Sequence, residues 1–84
     1  MINPILPSYT RANLRFIKGN GSWLTSDIGK KYLDMGAGIA VNSLGHAHPK
    51  LVKVLKEQAD KLWHTSNLYN IPNQETLAKK LVKA

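Results

Sequence analysis

The stretch Tyr32-Leu33-Asp34-Met35-Gly36-Ala37-Gly38-Ile39-Ala40-Val41-Asn42-Ser43-Leu44-Gly45-His46-Ala47-His48-Pro49 decides how this chain of 84 residues is read. Gly36, Ala37, Gly38 and Ala40 carry almost no side chain, so the backbone there can approach a ligand, or another stretch of backbone, closely. Pro49 follows, suited to the first turn of a helix, where its missing N–H costs nothing. The segment 36–48 therefore reads as a glycine-rich loop feeding a helix. It is not a dinucleotide fingerprint: after Gly36 and Gly38 the third glycine position holds Val41, and Gly45 comes too late.

Upstream, short apolar runs at Leu14–Lys18, Trp23–Ser26 and Lys31–Asp34 are separated by Gly19-Asn20-Gly21 and Asp27-Ile28-Gly29. This pattern predicts a meander of small antiparallel strands, with Phe16, Trp23, Leu24, Tyr32 and Leu33 on its packed face. Such strands do not stand alone in water and need another surface. Before them, Asn3–Arg11 holds Pro4 and Pro7, which impose extended backbone on their predecessors, and reads as an arm suited to lying on a surface.

Downstream, Leu51, Val52, Leu55, Ala59, Leu62 and Trp63 recur at helical spacing from Pro49, and His64-Thr65-Ser66-Asn67 is expected to end that helix. Lys53–Glu57 and Glu57–Lys61 are spaced for ion pairs on its other side. Asn73 is expected to cap a second helix, with Glu75 in its first turn and Leu77, Ala78, Leu81 and Val82 as its stripe. That stripe meets no stop signal before Ala84, which predicts that the natural chain continues. The expected organisation is an arm with small strands over 1–48, then helices over 49–84.

A chain this short buries only about 60–65% of its unfolded surface, and it has no cysteine for a disulfide or thiolate site. Gly36, Gly38, Asn42 and Gly45 break the apolar runs, so no membrane span is expected. Met1-Ile2-Asn3-Pro4 lacks the order of a secretory signal, and the reading is cytoplasmic. The net charge of +7 comes from ten lysines and two arginines spread over every segment. Nucleic-acid readers concentrate arginine forks and interleaved aromatics, so this is read as a solvated surface, or as charge balanced by acidic residues elsewhere in a longer chain.

Metal chemistry finds little support. His46 and His48 have only His64, Asp34 and Asp60 as further candidate ligands, so ordinary hydrogen bonding is expected, with His48 near the helix start. Ser43, Thr65 and Ser66 lack a paired base and acid. Trp63 reads as a core residue sooner than a cofactor stacker.

Three stretches in order, Pro7-Ser8-Tyr9-Thr10-Arg11-Ala12, then Tyr32 through Pro49, then Leu62-Trp63-His64-Thr65-Ser66-Asn67-Leu68-Tyr69, give the chain a wider resemblance. Together they resemble the N-terminal region of class-III aminotransferases, which use pyridoxal 5'-phosphate. The third stretch is similar to the acetylornithine branch. The resemblance covers essentially the whole chain and implies the N-terminal portion of an α/β, fold-type-I enzyme. The arm and strands would then belong to the small-domain side and the helices would begin the large domain.

The resemblance also implies an activity: transfer of an amino group from N-acetylornithine to 2-oxoglutarate in arginine biosynthesis, by a homodimer. Ornithine, succinylornithine or 4-aminobutyrate enzymes of the same class are the alternative, as is a small basic binding module. It places Tyr9 near the substrate carboxylate and Ile39, flanked by Gly38 and Ala40, on the wall of the substrate channel. It places Asn67 and Tyr69 at the subunit boundary. The phosphate cradle, the acid on the pyridine nitrogen and the cofactor-bearing lysine would lie beyond Ala84, so these residues alone are expected to be inactive and to need the remainder of the chain.

Overall fold

A computed structural model describes residues 3–84; Met1 and Ile2, the first residues of the expected arm, lie outside the described residues. Two compact units divide at Leu51/Val52. The first contains a three-stranded antiparallel meander of β1 (Phe16–Asn20), β2 (Trp23–Ser26) and β3 (Lys31–Leu33), in the order β1-β2-β3. Two glycines make its turns. Gly21 has φ +57°, and Gly21-Ser22 closes the β1–β2 hairpin, in which Asn20 pairs with Trp23. Gly29 has φ +83° in the β2–β3 turn, where the Gly29 N–H donates to the Ser26 carbonyl and the Ser26 N–H to the Lys30 carbonyl. Ser26 is the one fully buried side chain among the described residues, and its hydroxyl accepts from the Lys30 N–H.

The expected single apolar face is split in two. Phe16 pairs with Ser26 while Lys18 pairs with Thr25, so Ile17 is an extra residue on β1. This bulge turns Phe16 to the side of Leu24 and Tyr32, which pair with each other, and Phe16 meets Tyr32 edge-on at 5.7 Å. Trp23 and Leu33, also directly paired, sit on the opposite face with Lys18, Asn20, Thr25 and Lys31.

After β3 comes a single turn, α1 (Ala37–Ala40), wound the wrong way for L-residues. The loop then returns to the hairpin, where the His46 N–H donates to the Gly21 carbonyl at 2.8 Å and the Gly21 N–H to the His46 carbonyl at 2.9 Å. Gly45 has φ +77°, and a Cβ there would lie 2.8 Å from the Gly21 oxygen, so no other residue fits at this crossing.

Helix α2 (Pro49–Ala59) starts as expected, with His48 Nδ1 accepting from the Lys50 N–H at 3.2 Å. It ends earlier than the sequence predicts. The Trp63 indole N–H donates to the Ala59 carbonyl at 2.7 Å, taking the acceptor that the Trp63 peptide N–H would need to continue the helix. The Gln58 amide likewise donates to the Leu62 carbonyl. Leu62 and Trp63 lie past the end of the helix but still share one surface with Leu55 and Ala59. Lys53–Glu57 pair at 4.0 Å, while the expected Glu57–Lys61 pair is not formed. Helix α3 (Pro72–Lys83) also differs at its start. Ile71, not Asn73, precedes its first turn, Pro72 opens it, and no side chain caps it. Glu75 lies in the first turn as expected.

No apolar side chain is buried among the described residues. Leu55, Trp63, Leu77 and Leu81 are all more than half exposed, in keeping with stripes that await a covering surface.

Candidate functional site

Asp34 follows β3 directly and organises the loop after it. Its Oδ1 accepts from the Gly36 N–H at 3.1 Å and the Ala37 N–H at 2.9 Å, and its Oδ2 lies 2.6 Å from His46 Nε2. The Asp34 side chain is only 13% exposed. The Ala37 N–H above all, and then His46, hold its carboxyl below the usual aspartate range, against the opposing effect of burial. The Asp34 N–H donates to the Ser22 carbonyl at 2.7 Å, tying the carboxylate's own backbone to the hairpin.

The turn that Asp34 holds has left-handed φ at four successive residues: Ala37 (+50°), Gly38 (+63°), Ile39 (+67°) and Ala40 (+60°). It closes its own hydrogen bonds, Ala40 N–H to the Gly36 carbonyl and Val41 N–H to the Ala37 carbonyl, both at 2.9 Å. Only Gly38 adopts this conformation freely. Left-handed L-residues cost about 1–2 kcal/mol each, so Ala37, Ile39 and Ala40 store several kcal/mol. Strain of this size persists only where the surroundings enforce it, and it concentrates at functional sites. Ile39 lies on this turn and its side chain is 92% exposed.

The structure thus brings Gly38, Ile39 and Ala40 together on one strained turn. Tyr9 stands apart in the arm, 75% exposed, with the Arg11 guanidinium 5.8 Å from its ring centre, and no hydrogen bond among the described residues ties it to the turn. Asn67 and Tyr69 belong to the second unit, exposed on the segment between α2 and α3. Beside them, Gln58, Trp63, Thr65, Ile71 and Asn73 line an open depression of ≈ 420 Å³.

Sequence reasoning missed the Asp34–His46 pair. A signal existed: an aspartate at a strand end followed two residues later by glycine is the pattern of a carboxylate accepting from the backbone ahead of it. His46 could have been placed by Gly19, since glycine inside a strand marks a close approach. A Cβ at Gly19 would lie 2.6 Å from His46 Cβ.

Class-III aminotransferases work with pyridoxal 5'-phosphate, which requires a lysine, an acid and a phosphate cradle. All ten lysines here are exposed, and Asp34 is committed to Gly36, Ala37 and His46. The described residues do not fit that set.

The class-III aminotransferase family profile matches residues 7–84. The chain is 65% identical over 82 residues to acetylornithine aminotransferase of Rhodobacter capsulatus, covering 98% of this chain and 21% of that protein. The corresponding protein of Agrobacterium fabrum is 57% identical, with 96% of this chain and 20% of the relative covered. Among solved structures, N-acetylornithine aminotransferase from Stenotrophomonas maltophilia superposes with a TM-score of 0.83 at 43% identity, over 88% of this chain and 20% of that one. Adenosylmethionine-8-amino-7-oxononanoate aminotransferase from Methanocaldococcus jannaschii gives 0.81 at 36% identity, over 95% of this chain and 20% of that one. The chain spans about a fifth of the length of the curated relatives it matches. Its strands and helices have the fold of the N-terminal portion of these α/β enzymes, and with residues 7–84 matched, the chain belongs to the class-III aminotransferase family.

Proposed function

We propose that this chain is part of an aminotransferase that moves the amino group of N-acetylornithine to 2-oxoglutarate in arginine biosynthesis. The observation that carries the reading is its 65% identity, over 98% of its length, with a relative of that name. When bound, pyridoxal 5'-phosphate would supply the amino-carrying chemistry from residues outside this stretch, and the 84 residues alone would be inactive.

The roles proposed for this chain's own residues concern shape and orientation. Ile39 forms an apolar wall, with Gly38 and Ala40 leaving room beside it for an acylated amino acid. Its support is that Ile39 lies on the strained turn with its side chain exposed. Tyr9 offers an exposed phenol O–H that can donate to a substrate carboxylate. Asn67 and Tyr69 are proposed contacts at the boundary of a homodimer. The arm and sheet fall on the small-domain side and α2 and α3 open the large domain, in a cytoplasmic enzyme; among the described residues no helix is long and apolar enough to cross a membrane.

Genetic complementation tests the reading. The full-length gene should restore growth without arginine to a bacterium lacking acetylornithine aminotransferase. Failure to restore growth, with the protein present in soluble form, would count against N-acetylornithine as the donor.

A further inference from the structure

His46 is fixed before it reaches Asp34. Its peptide group exchanges both hydrogen bonds with Gly21, and its ring lies on Gly19 so closely that a Cβ there would come within 2.6 Å of His46 Cγ. The imidazole is therefore anchored to the hairpin. Asp34 joins that anchor to the start of the turn, with Oδ2 on His46 and Oδ1 on the N–H groups of Gly36 and Ala37. Among the described residues, every other hydrogen bond of the turn's backbone N–H groups is internal to residues 36–42 and would survive a change in the direction from which the turn leaves β3.

We propose that the Asp34–His46 pair is a positioning element, which fixes the direction in which the left-handed turn leaves β3 and so how far Ile39 projects toward the acylated end of the amino donor. The inference rests on the reading of Ile39 as a channel wall. Neither Asp34 nor His46 touches reacting atoms; both act through the turn. Their loss should change which donors fit, with the cofactor-bearing machinery left intact.

The experiment uses the full-length enzyme and compares kcat/KM for N-acetylornithine with that for ornithine, which lacks the acyl group. Asp34→Ala should lower that ratio about tenfold, the scale of a small misplacement at a substrate-positioning surface, with the cofactor absorbance band retained. Asp34→Asn should recover most of the ratio, because its carbonyl still accepts from the turn and its amide can donate to a neutral imidazole. If Asp34→Ala does not fold, His46→Ala carries the test, with the same fall expected.

An unchanged ratio would overturn the proposal. So would equal loss of turnover on both donors together with the cofactor band, which marks a merely structural role. Ile39→Phe separates the two layers. If it shifts donor preference and Asp34→Ala does not, only the positioning role fails. If it shifts nothing, the channel-wall reading fails first.

Discussion

Asp34 and His46, twelve residues apart in sequence, meet at 2.6 Å between Oδ2 and Nε2, and between them the chain makes a left-handed turn. The carboxylate grips the turn's first N–H groups on one side and a sheet-anchored imidazole on the other. This arrangement converts a stretch of small residues, flexible by composition, into a fixed support for Ile39.

The pH dependence follows from the direction of the Asp34 shift. Its folded pKa lies below the ordinary 3.8, chiefly through the Ala37 N–H and then His46. A carboxyl lowered in this way contributes stability that is present above the unfolded value and disappears as pH falls through the folded one. An NMR titration of the Asp34 carboxyl in the full-length protein should find a midpoint below 3.8, and Asp34→Asn should flatten the corresponding part of the acid-unfolding curve. A midpoint at or above 3.8 would contradict the geometry.

Ala37→Gly should stabilise the protein by about 1 kcal/mol, because glycine enters the left-handed region without steric cost. Denaturant unfolding of the full-length protein measures it. A loss of stability would mean that Ala37 is not left-handed in solution.

Gly45 and Gly21 both have positive φ but differ in surroundings. A Cβ at Gly45 meets the Gly21 backbone at 2.8 Å, whereas one at Gly21 meets nothing within 4 Å. Gly21→Ala should cost about 1–2 kcal/mol, the left-handed penalty alone. Gly45→Ala should cost about 1–3 kcal/mol more, since backbone cannot move aside as a side chain does. Equal losses would show that the loop does not cross the hairpin here.

Trp63→Phe keeps most of the ring and deletes the indole donor to the Ala59 carbonyl. It should cost about 0.5–1 kcal/mol and let α2 extend past Ala59, visible as slowed amide exchange at residues 61–63. Unchanged exchange there would remove the indole as the reason α2 stops.

Local signals were enough for the meander, because Gly21 and Gly29 place its turns, and for the start of α2, because Pro49 and His48 act within one turn of it. The family and its α/β fold were legible from the Tyr32–Pro49 stretch and its two companions. What escaped depends on geometry across the sequence. The bulge at Ile17 shifts which residues share a face with Phe16. The Trp63 indole ends α2 through an acceptor four residues back. The sequence reading of 36–48 as a loop left open whether its small residues serve a ligand or packed backbone. The structure puts the close backbone contact at Gly45, outside that group, and ties Gly36 and Ala37 to the Asp34 carboxylate.

The most direct measurement is glutamate formation by the purified full-length protein, loaded with pyridoxal 5'-phosphate and given 2-oxoglutarate with N-acetylornithine, ornithine or 4-aminobutyrate in turn. The account predicts the highest kcat/KM with N-acetylornithine. A higher value with either of the other two amines, or no glutamate from any of the three, would contradict it.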